Sequence, residues 1–151
     1  MTCSFVYAKS NALEGGIMRI FFVFCVVTLG LVNAAFAVNG MIVPGATEEG
    51  IRNDCQVTAE MSVMLLKMKA KLTPEQLQQT AHTLLRTKGY KGSFGPIDFI
   101  VYFYTGAALQ MGTDVDKIMA GVSPEDLANM ANEHETSCLE NAFKNKTAID
   151  D

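Results

Sequence analysis

The chain has 151 residues, 49% of them hydrophobic and 19% charged, with a formal net charge of −4. That apolar share is enough for a packed core and excludes a disordered polyelectrolyte. The acidic balance excludes general nucleic-acid binding, which needs a basic surface.

Residues 1–17 carry no periodicity and read as an untranslated or disordered extension, because Glu14-Gly15-Gly16-Ile17 before Met18 is compatible with a purine-rich ribosome-binding stretch. Residues 18–37, MRIFFVFCVVTLGLVNAAFA, follow the plan of a secretory signal peptide. Arg19 follows a methionine, an apolar run covers 20–32, and Ala35-Phe36-Ala37 puts small residues at −3 and −1 of a cleavage site. The expected mature protein starts at Val38, is periplasmic or secreted, and has no membrane span once the signal is removed. Left uncleaved, the segment 20–38 would have about the minimum length for an anchor. Residues 38–151 hold ten Lys/Arg against fifteen Asp/Glu, a net charge of −5.

Residues 38–53, with three glycines and a proline, read as a mobile arm. From Asp54 the pattern turns helical. Val57, Met61, Met64, Leu65, Met68 and Leu72 follow three- and four-residue steps on one face, and Asn53 or Asp54 can cap the start. A second helix opens at Thr73-Pro74-Glu75-Gln76, a capping box with proline in the first turn. It buries Leu77, Ala81, Leu84 and Leu85 and stops at Gly89. Pro96 opens a third helix to Gln110 or Met111, apolar nearly all round and therefore expected at the centre of the bundle. Its Ile100–Tyr104 portion, β-branched and aromatic, would also suit a strand. A short helix capped by Thr113 or Asp114 ends near Gly121. Ser123-Pro124-Glu125-Asp126 starts the last one, which buries Leu127, Met130, Ala131, His134, Cys138, Ala142 and Phe143 before a polar tail at 147–151. The expected fold is all-α: a compact bundle of four to five helices over 54–146, closed by one disulfide.

Cys3 lies in the extension and Cys25 in the signal, which leaves Cys55 and Cys138. Two cysteines in an exported chain pair, here tying the first mature helix to the last. Without a Cys-x-x-Cys turn they do not form a redox pair, and once paired they leave no thiol nucleophile.

Met61, Met64 and Met68 set three thioethers on one helix face, the soft donor set that would carry Cu(I) in an exported protein. Read as packing, the same methionines fill a core or line a groove that adapts to a partner. Asn132-Glu133-His134-Glu135 lacks the further ligands that zinc needs, so His134 reads as a buried histidine and His82 as an exposed one. Glu60 and Asp98 stand near apolar faces without a second catalytic group. No serine sits in a Gly-x-Ser-x-Gly elbow, and Gly89, Gly92 and Gly95 punctuate a loop. Asn145-Lys146-Thr147 is a formal glycosylation sequon, relevant only in a eukaryotic host. Charge is segregated: Lys67, Lys69, Lys71, Arg86, Lys88 and Lys91 against one glutamate, then seven acids and one lysine over 114–140.

The signal segment, the small helical chain and one cysteine near each end, Cys55 in DCQVTAEMSVM and Cys138 in ETSCLENAFK, resemble in layout two groups. These are the acid-stress chaperones of the bacterial periplasm and the disulfide-bonded helical immunity proteins that neutralise secreted toxins. The resemblance covers most of 54–144 and implies binding functions, dimerisation and no cofactor. The expected function is therefore binding of another protein, as an inhibitor or immunity factor or as a stress chaperone, without enzymatic activity. The expected contact is Met61, Met64, Lys67, Met68, Lys69 and Lys71, facing an acidic partner or the acidic half of a second copy. The alternatives are a copper carrier using Met61, Met64 and Met68, and a small hydrolase whose site the sequence does not locate.

Overall fold

The computed structural model describes residues 42–150, so the expected extension, the signal and the first residues of the arm lie outside the described residues. Among the described residues the chain is all-helical: α1 (Glu48–Met68), α2 (Pro74–Thr87), α3 (Ile97–Gln110), α4 (Thr113–Gly121) and α5 (Pro124–Asp150). The bundle expected from the sequence is the fold observed. Residues 100–104 are helix, not strand.

α1 begins six residues earlier than its periodicity indicates. Thr47, in extended conformation, accepts a hydrogen bond from Gly50 N, and Glu48 and Glu49 follow in the first turn, where the helix dipole favours acids. The expected arm is thus helix from position 48, and Asn53 and Asp54 are interior residues, not caps. At the other end of the chain, α5 continues to Asp150, so most of the expected tail is helical.

The central helix is α1, not α3: it packs against each of the other four. Hydropathy alone misplaces it because α1 buries small polar residues. Thr58 and Ser62 reach the interior by returning their hydroxyls to carbonyls of the preceding turn, Thr58 to Asp54 at 2.7 Å and Ser62 to Ala59 at 2.8 Å. With those donors satisfied, burial costs little.

The most extensive contact of α1 is with α5. Met130, His134, Cys138 and Ala142, four residues apart, form the buried row of α5. Cys138 is bonded to Cys55 with a Cα–Cα distance of 5.6 Å. Arg52 of α1 lies over the Phe143 ring of α5 at 4.8 Å, a second link between the two helices.

The two start signals form as the sequence predicts. Thr73 and Gln76 make a full capping box, and Ser123 Oγ accepts from Asp126 N at 3.1 Å. Thr73 and the Glu75 backbone N–H also hold the exposed Glu75 carboxyl below its ordinary value, the backbone bond first. α4 differs, since Gly112 occupies its cap position with no side-chain bond.

Candidate binding surface

Three regions carry polar or reactive groups, and two of them face inward. The first is built on Asp54, fully buried in the second turn of α1. Its carboxylate accepts from Lys91 N at 2.6 Å, Ser93 N at 2.7 Å and the Asn53 amide at 3.0 Å. Asn53 also donates to Gly89 O. The Asn53-Asp54 pair therefore folds the 89–95 loop, whose Gly89, Gly92 and Gly95 adopt positive φ, over the start of α1, with Phe94 buried beneath it. Burial, and then the Asp54 charge, push the Tyr90 phenol up, while its hydroxyl donates to Gly95 O. The loop glycines are structural punctuation, as the sequence suggests.

The second region is a Ser62–His134 pair that sequence reasoning did not join, because 72 residues separate its members. Ser62 Oγ lies 3.1 Å from His134 Nδ1, the Tyr104 ring meets the imidazole edge-on at 6.0 Å, and Nε2 makes no hydrogen bond. Burial alone lowers the imidazole to about 4, so it is neutral near pH 7. Burial raises Tyr104 to about 12, a smaller effect of Thr58 opposing it. Ser62 and His134 are each 3% exposed, and no carboxylate orients the ring, so the pair is packed as core.

The third region is the expected contact face on α1, which the fold divides. Met61 is buried and Met68 half-buried against the core; only Met64, at 38% exposure, stands outside. The three sulfurs expected to face one metal therefore lie partly inside and partly outside the bundle. Lys69 is also consumed internally. Its ammonium lies 2.7 Å from Asp116 Oδ1 and 2.7 Å from Met111 O, fastening α4 to α1. Met61, Met68 and Lys69 are thereby withdrawn from the contact surface, leaving Met64, Lys67 and Lys71. The attraction between the basic and acidic halves is realised in the Lys69–Asp116 pair. Lys88 instead pairs with Glu60 on α1 at 2.5 Å, and His82 Nε2 lies 2.6 Å from Asp98 Oδ1, so His82 is half-buried and partnered.

The surface that sequence reasoning missed is on α3. Tyr102 is 73% and Leu109 42% exposed, with Phe99 and Phe103 half-buried and stacked at 6.3 Å beside them. Positions 99, 102, 106 and 109 fall on one helix face. Residues 99–113 contain no charged side chain. The signal was present in the sequence as the all-round hydropathy of this segment, but assigning it to the centre of the bundle concealed it. No family model, no curated protein and no solved structure matches this chain.

Proposed function

We propose that this is an exported protein-binding bundle whose docking surface is the exposed face of α3, not the lysine-bordered methionines of α1. The observation that carries the reading is the stripe of Phe99, Tyr102 and Leu109, apolar, uncharged and partly open to solvent on a helix that the core does not enclose. Large exposed aromatic and aliphatic side chains on one rigid element mark a contact surface, and tyrosine is among the residues that dominate binding energy. The disulfide supports export, since such bridges persist in oxidising compartments.

Of the two binding roles, His134 favours the stress chaperone. A histidine buried neutral must take up a proton as the medium acidifies, which loosens the α1–α5 contact that encloses it. A chaperone would capture many clients at low pH; an immunity factor would capture one at neutral pH. The test is capture from host periplasm by the wild type, by Tyr102→Lys/Leu109→Lys and by Lys67→Glu/Lys71→Glu. Loss of capture only in the α3 variant is the expected result. Loss only in the lysine variant would return the contact to α1.

A further inference from the structure

We infer that the exposed face of α3 docks an amphipathic helix of another protein, one that carries lysine or arginine at both ends of its apolar stripe. The inference rests on the reading of this face as a docking surface and names its occupant.

The spacing of the face specifies a helix. Phe99, Tyr102, Gly106 and Leu109 follow one another at three, four and three residues, the seam along which one helix packs on another. An extended strand, whose side chains repeat every two residues, does not match it. This chain leaves the seam open, because Ile100, Val101, Tyr104 and Ala108 turn the other side of α3 to the core while Tyr102 and Leu109 stay exposed.

The rim of the face specifies charge. Asp98 stands in the first turn of α3, and Asp114 stands in the first turn of α4, four residues beyond the end of α3; both side chains are 89% exposed. Glu75 adds a third carboxylate. It shares one face of α2 with Gln78 and His82, three and seven residues on, and His82 meets Asp98 at 2.6 Å, so that face borders α3. The Lys117–Asp114 pair, at 3.2 Å, is exposed at both members and therefore weak, leaving Asp114 open to a partner's base. An apolar, uncharged middle with acids around it selects the inverse pattern, an apolar stripe with bases at its ends. A second copy fits poorly, since it would bring the same carboxylates of an acidic chain against this rim.

The test uses two synthetic helical peptides with the same leucine stripe at three- and four-residue steps, one ending in lysines and the other in glutamates. Each is titrated into protein recovered from full-length expression, with binding read by fluorescence anisotropy at physiological ionic strength. The lysine peptide should bind about tenfold or more tighter than the glutamate peptide, and added salt should narrow the gap. Tyr102→Ser/Leu109→Ser should weaken both peptides, and Asp98→Lys/Asp114→Lys should reverse the preference. Glu133→Lys/Glu140→Lys, on the exposed side of α5, should leave the preference unchanged. Equal binding of the two peptides, or a preference that follows the α5 glutamates, would overturn the inference. Failure of both peptides would also overturn it; if capture from periplasm is still lost with Tyr102→Ser/Leu109→Ser, the docking surface stands with a different occupant. A dimer in sedimentation that the same two changes dissolve would make a second copy that occupant and overturn the inference. Peptide binding and capture that are both indifferent to positions 102 and 109 would sink the docking surface as well.

Discussion

Gly50 in α1 and Gly106 in α3 separate two kinds of region in this molecule. At Gly50 a Cβ would meet Ser93 Oγ at 3.0 Å and Thr47 Oγ1 at 3.2 Å, so the chain itself fills the space; at Gly106 it would meet nothing. Around Gly50 lie the Asp54 carboxylate with its backbone donors, the folded 89–95 loop and, one turn further on, the disulfide. Around Gly106 lie exposed Tyr102 and Leu109. The first region is satisfied from within and holds the fold together. The second is left unsatisfied by the fold, which is what a binding surface requires. Substitutions in the first should therefore change stability and leave binding to the folded fraction intact, and substitutions in the second should do the reverse.

The largest effect is expected at the bridge. Cys55→Ser or Cys138→Ser should lower unfolding free energy by about 2–5 kcal/mol, read from denaturant melts, because the link closes a loop with 83 residues of sequence separation. A reduced wild type should melt with the mutants. Next comes Asp54→Ala, which leaves the Lys91 and Ser93 N–H groups without their acceptor and should cost about 3 kcal/mol. If that variant melts like the wild type, the loop is not held by Asp54.

The third effect depends on pH. His134 titrates near 4 when folded and near its ordinary 6.5 when unfolded, so between those values the unfolded chain binds more protons. Stability should be at its plateau above about pH 6.5 and fall by about 2–3 kcal/mol as pH drops to 4. His134→Met should flatten that part of the curve; an unchanged slope would assign the acid sensitivity to carboxylates. Smallest is Tyr102→Ser, which should move stability by no more than about 0.5 kcal/mol, as exposed positions do, while weakening partner capture.

Helix number, the capping box at Thr73, the hydroxyl cap at Ser123 and the Cys55–Cys138 pairing were legible because each is a local signal or, for the cysteines, a matter of elimination. What failed were inferences about which faces meet. Met64 and Met61 share a stripe by spacing, yet α1 is surrounded so fully that only the side bearing Met64, Lys67 and Lys71 remains outside. Lys69 reads as a surface lysine until Asp116 and Met111, more than forty residues away, come to meet it. Thr58 and Ser62 lower the apparent hydropathy of the central helix, and Tyr102 and Leu109 raise that of a peripheral one. Hydropathy therefore identified apolar helices correctly and ranked their depth wrongly.

A photo-reactive residue placed singly at positions 102, 109, 67 and 71 of the chain, in cells of its own host, compares the two surfaces directly. Cross-links to protein, whether another copy or a different partner, are predicted from 102 and 109, with 67 and 71 silent. Cross-links from 67 and 71 with none from 102 or 109 would contradict the assignment of binding to α3.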